Sequence, residues 1–239
     1  MHAAASAPRR LTRRQLELEL SALADPERAK AHAWFFKTGK GQYGEGPVSW
    51  YPCSAAAQAR PALSIPASRR HRAPAGEHRF TALEILVDQY EAGSQQNRET
   101  IFRFYLAHTA RINNWDLVDT SAPYIVGEHL RMRPRAVLDE LAVSPSLWER
   151  RIAIVSTLML IRNGEIEDTF RLAQTLLPDK HDLMHKAVGW ALRETGKVSR
   201  PALLAFLKEH YGTIPRTALR YAIEHLPPDQ RKRVLAGQF

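Results

Sequence analysis

Helix-opening signals recur along the second half of this chain at a near-constant interval. Ser144-Pro145, Asp179 and Thr213-Ile-Pro215 each mark a helix start, about 35 residues apart. A capping residue leaves a side-chain oxygen for the orphan amides of a first turn, and proline is tolerated only there. Further breaks at Gly164, Gly196 and Gly212, with a start at Ser199-Arg-Pro201, divide each interval into two helices. One helix pair cannot bury its apolar face alone, so such units stack on one another. The pattern predicts an all-α chain, an α-solenoid built from two-helix units.

The first half reads as helical over shorter stretches. Asp25-Pro26 opens a helix through Phe36, and residues 79–91 place apolar side chains at 80, 83, 86, 87 and 90. Residues 98–110 continue with Ile101, Phe102, Tyr105 and Leu106. The stretch 47–76 breaks the style, with five prolines, no acid and no lysine. Proline removes a backbone donor and clashes with the preceding turn. Two readings fit it: a flexible Pro/Ala/Arg-rich insertion, or a run translated from a shifted frame. The whole of 1–239 is otherwise expected to be one solenoid domain, with residues 1–14 a basic arm carrying Arg9, Arg10, Arg13 and Arg14.

The 239 residues carry 34 Lys+Arg against 25 Asp+Glu, a formal charge of +9. Such a balance suits a polyanionic partner and says nothing of fold. The single cysteine, Cys53, excludes an intrachain disulfide and fits a reducing compartment. His181 and His185 are four apart but lack a third ligand, so no metal or cofactor is expected. No apolar run approaches the ~20 residues a membrane span needs. These features together point to the cytoplasm, or to the nucleoid in a bacterium.

Two motifs place chemistry on helices. Trp115 and Asp119 in Asn-Asn-Trp-Asp-Leu-Val-Asp (113–119) are four apart, and Trp190 and Arg193 in Lys-Ala-Val-Gly-Trp-Ala-Leu-Arg (186–193) are three apart. Each pair shares a helix face. On pattern alone these tryptophans also read as core, and Asp119 as the cap of a helix beginning near Ser121-Ala-Pro123. Arg193 also reads as a partner for acids near Glu194, Lys186 as a solvated lysine, and Asp116 as a structural hydrogen-bonder.

These motifs, with Trp148, Arg151 and the segment Phe-Phe-Lys-Thr-Gly-Lys-Gly-Gln-Tyr-Gly-Glu-Gly (35–46), resemble the DNA alkylation repair family of HEAT-like-repeat DNA glycosylases. The resemblance covers 34–46 and 77 to about 226. It departs from the pattern at 47–76 and at Phe35, where members often have tyrosine. It implies an α-solenoid of HEAT-like helix pairs, curved with a basic concave face, and a monofunctional glycosylase that releases N3- or N7-alkylated purines from double-stranded DNA, acting as a monomer. Asp119, Trp115 and Trp190 then fall at catalytic positions, and Arg151, Arg193, Phe35, Trp148 and Lys186 at DNA-binding ones. No lysine lies in the acid motif, so Schiff-base chemistry is not expected. The alternatives on the same scaffold are a non-catalytic binder of damaged or branched DNA and a protein-interaction scaffold.

Overall fold

A computed structural model describes residues 76–239 of the chain, with side chains from Arg79 onward. The helix at 26–36, the basic arm, Phe35 and the 47–75 stretch lie outside the described residues. Every regular element among the described residues is helical, as the punctuation implies. The chain divides after Thr120 into two compact units.

In the first unit, α1 (Gly76–Glu91) packs on α2 (Gln95–Leu106). The stripe read from sequence is the buried one: Leu83, Leu86, Val87 and Tyr90 are all at most 5% exposed. Ser94 caps α2 through the Asn97 amide. The helix expected to run to residue 110 ends at Leu106, and a 3-10 turn, Thr109–Arg111, follows. Next comes α3 (Trp115–Ala122), whose residue 118 amide bonds to the Asn114 carbonyl. Asp119 therefore sits inside a helix and does not cap one.

The second unit opens with a π-helical turn, Pro123–Gly127. Proline has no amide to donate backward, which favours a widened turn at this point. The Glu128 amide reaches back five residues to the Pro123 carbonyl, the bond that defines this wider turn. Then come α4 (Ala136–Ala142), α5 (Leu147–Arg162), α6 (Glu167–Leu176), α7 (Asp182–Val198), α8 (Arg200–Glu209), α9 (Arg216–Ala222) and α10 (Pro228–Leu235). The α5 helix is apolar on nearly all sides and buried from Arg151 to Leu158. A helix with no wet face must be surrounded, and α5 packs against α4, the π turn, α6 and α7.

The caps fall a little later than the sequence suggests. Ser146, not Ser144, caps α5 through the Glu149 amide. Ser144 Oγ instead accepts from the Ser146 amide at 3.0 Å. His181, not Asp179, caps α7: its Nδ1 accepts from the Leu183 amide at 3.2 Å. Burial lowers the His181 pKa and so favours the neutral ring that accepting requires. Asp179 accepts from the His181 amide at 2.8 Å. Ser199 caps α8 as read, and Gly164 takes the left-handed φ of 85° that ends α5. Gly196 does not stop α7, which runs on to Val198.

Gly189, in the middle of α7, lets α9 approach closely. A Cβ there would lie 2.5 Å from Tyr221 Cβ and 2.6 Å from the Ala218 carbonyl oxygen. Gly127 plays the same part where the π turn meets the Ser156 carbonyl. Gly189→Ala is expected to destabilise the protein by about 1–3 kcal/mol through overpacking. Gly212→Ala, with nothing within 4 Å of its added carbon, is expected to change stability by under about 0.5 kcal/mol. Denaturant midpoints of the two variants check the contrast, and equal midpoints would contradict the close helix approach.

Candidate active site

The acid motif lies on α3, and its surroundings are built within the first unit. Asn114 Oδ1 accepts from the Trp115 amide at 2.8 Å, fixing the first turn. Asp116 Oδ1 accepts from the Leu117 amide at 2.8 Å, and the Thr120 hydroxyl donates to the Asp116 carbonyl at 2.8 Å. Leu117 and Val118 are fully buried and anchor the helix. Trp115, Asp116 and Asp119 are half-buried along the same two turns.

Arg79 of α1 closes the arrangement. Its Nη1 donates to Asn113 Oδ1 at 2.5 Å and to the Arg111 carbonyl at 3.2 Å. Its Nε is buried without a hydrogen-bond partner among the described residues. Burial lowers the Arg79 pKa, while the charge of Asp116 works against that shift.

Asp116 is the perturbed acid of this group. Burial pushes its pKa up to about 6, the Leu117 amide opposes, and the negative charge of Asp119 pushes further. Two carboxylates on one helix, three residues apart, resist being charged together. The sequence reading left Asp116 as a hydrogen-bonder, and it is one. Its charge state was missed, although Arg79 stands 34 residues before Asn113, the same interval that spaces the repeats.

The second motif lies on α7, in the second unit. Trp190 is half-buried beside Gly189. Arg193 is held by two acids: its Nη2 lies 3.2 Å from Glu194 Oε1, and its Nη1 pairs closely with Glu224 of the loop after α9. The Arg193 hydrogen bond holds the Glu224 carboxyl below its usual range. Lys186 Nζ pairs with Asp182 at 2.8 Å, one turn back on α7. On α5, Trp148 is 9% exposed and Arg151 is 5% exposed. Arg151 Nη1 donates to the Leu183 carbonyl at 2.6 Å, tying α5 to the first turn of α7. That bond and that burial leave little of Arg151 or Trp148 open to a phosphate. His181 and His185 are both engaged, His181 with the Leu183 amide and His185 Nε2 at 2.6 Å from the Asp179 carbonyl.

Asp116 makes stability depend on pH. Its pKa is raised from 3.8 to about 6 on folding, so the unfolded chain ionises first as pH rises. Stability present below about pH 4 is then lost up to pH 6 and levels off above, a loss of about 3 kcal/mol. Asp116→Asn is expected to flatten this fall between pH 4 and pH 7 in denaturant unfolding. A wild-type slope in the variant would remove Asp116 as its source.

No helix among the described residues is long and apolar enough to cross a membrane. No curated protein matches the sequence. In fold, the chain is similar to a structure described as a predicted DNA alkylation repair enzyme from Enterococcus faecalis, with a TM-score of 0.62. The two share 15% identity over 85% of this chain and 97% of that one. At that identity the likeness speaks for the fold. The family described as DNA alkylation repair enzyme matches residues 16–226. That span includes both tryptophan motifs, Arg79 and Asp116, and the chain belongs to the DNA alkylation repair enzyme family.

Proposed function

We propose that the protein is a monofunctional DNA glycosylase that hydrolyses the N-glycosidic bond of cationic N3- and N7-alkylated purines. The observation that carries this reading is Trp115 and Asp119, one turn apart on α3 and both only half-buried, within the family's matched span. Alkylation at N3 or N7 makes the base cationic, so it leaves neutral and needs no proton donor. The sugar left behind has oxocarbenium character. One carboxylate beside C1′ stabilises the growing positive charge and orients the attacking water. We assign that role to Asp119.

Trp115 supplies an aromatic face, and a cation near such a face gains about 0.5–2 kcal/mol. That preference favours damaged over normal bases. In the second unit we assign Trp190 to contact with the lesion nucleotide, and Arg193 and Lys186 to the DNA backbone. Both cations already hold carboxylates, so DNA phosphate would have to compete with an acid for each.

Purified protein is expected to release free base from duplex DNA containing 7-methylguanine. Asp119→Asn is expected to lower that release by at least ~10²-fold while leaving duplex affinity nearly unchanged. Full activity in the variant would remove Asp119 from the mechanism. Arg193→Ala is expected to flatten the dependence of affinity on salt by about one phosphate contact. An unchanged slope would assign Arg193 wholly to its bonds with Glu194 and Glu224.

A further inference from the structure

The cations that the sequence motifs single out are mostly engaged inside the protein. Among the described residues, three consecutive exposed cations stand together on the last helix. Arg231, Lys232 and Arg233 are consecutive and exposed on α10. Among the described residues, Lys232 and Arg233 have no side-chain partner, and Arg231 meets Glu224 only through long-range attraction. Successive residues on a helix are about 100° apart, so the three cover about 200° of its circumference. Val234 faces inward at 1% exposure and sets the opposite, buried side. Arg220 of α9 is also exposed and without a side-chain partner among the described residues.

This helix is firmly seated. Gly237 takes a left-handed φ of 77°, and the amides of Gly237 and Gln238 return to the Val234 and Arg233 carbonyls at 3.0 and 2.8 Å. That is a Schellman ending, which satisfies the last carbonyls of a helix. The Tyr211 hydroxyl donates to the Leu235 carbonyl at 2.9 Å, and Arg216 donates to the same oxygen at 3.3 Å. The Tyr211 ring meets Phe239 edge-on at 5.6 Å. The start of α9 and the end of α10 are thus pinned together.

We propose that α10, with Arg220 of α9, is a phosphate-binding surface for duplex DNA that extends the interface beyond the family's matched span, which stops at residue 226. Cations in the last turn also complement the helix dipole, but that accounts for Lys232 and Arg233 alone, and Arg231 precedes that turn. A duplex offers a dense row of phosphates to a rigid triplet of cations. A bilayer fits less well, since α10 keeps its apolar side inside the fold and has none to insert. This inference rests on DNA being the partner, as proposed above, but not on the chemistry at Asp119.

The test is duplex affinity across a salt series for the full chain, using undamaged DNA so that excision plays no part. The triple variant Arg231→Gln, Lys232→Gln, Arg233→Gln is expected to lose about tenfold or more in affinity, with a salt slope lower by about 2 to 3. A control variant removes the same charge from Arg162, Arg200 and Lys208, which are exposed elsewhere, and is expected to change both quantities much less. Thermal midpoints of both variants verify that α10 stays folded. Equal losses in the two variants, or none in the first, would overturn the proposal. So would vesicles of anionic lipid binding through the triplet in preference to the duplex. A protein that binds DNA through α10 but releases no base would fail the glycosylase reading and leave this one standing.

Discussion

An arginine reaching one repeat ahead is the interaction on which the stacking of this chain depends. Arg79 bonds to Asn113, 34 residues on, and Arg135 to Asp168, 33 on. Arg150 reaches Asp179, 29 on; Arg151 reaches Leu183, 32 on; Arg193 reaches Glu224, 31 on. Each joins one helix to a partner about one period later. Apolar burial draws repeats together without direction, but a guanidinium fork fixes register, because its donors fit only one arrangement of acceptors. Arg135 is the fullest case. It bonds to Glu165 and Asp168, each at 2.5 Å, and donates to the Arg131 carbonyl at 2.8 Å and the Leu130 carbonyl at 3.2 Å. Half-buried and fully engaged, it meets the condition under which an interior charge does not weaken a fold.

That use of arginine explains what was legible in the sequence. The period is written in proline, serine and glycine, whose backbone effects act locally, and it survives intact in the helices. The buried stripe of α1, the Ser199 cap and the Gly164 stop follow from the same local chemistry. The caps of α5 and α7 were misplaced by two residues because Ser144 and Ser146, and Asp179 and His181, offer competing acceptors within one turn. Only packing chooses between them. Helix α10 was not foreseen, since a run of Arg-Lys-Arg after two prolines has no stripe of its own. Its order comes from Tyr211 and Phe239, contacts that are distant in the chain or beyond the helix end.

The candidate site shows the same division. Helical spacing correctly puts Trp115 and Asp119 on one helix, and the internal position of Asp119 removes the capping role that pattern alone allowed. Spacing says nothing of dielectric. The burial of Asp116, and the resistance of two nearby carboxylates to joint ionisation, arise from the packing of α1 against the loop before α3. Nor does a net charge of +9 say which cations are free. The family resemblance implies a phosphate contact for Arg151. In the fold it completes the first turn of α7.

These two roles for basic residues compete in a chain of stacked helices. A cation that fixes register must be partly buried and fully bonded, whereas a cation that holds a phosphate must be exposed and able to move with the backbone it meets. The same side chain serves both poorly, because leaving its partner strands an acid at a cost of about 1–3 kcal/mol. A solenoid that binds nucleic acid therefore needs surplus cations beyond those that join its repeats. Here the register arginines sit at the joints between repeats, whereas Arg220, Arg231, Lys232 and Arg233 on α9 and α10 are exposed and join no repeat among the described residues. Where an arginine lies in the repeat, more than how many there are, decides whether it holds the protein or is free to hold DNA.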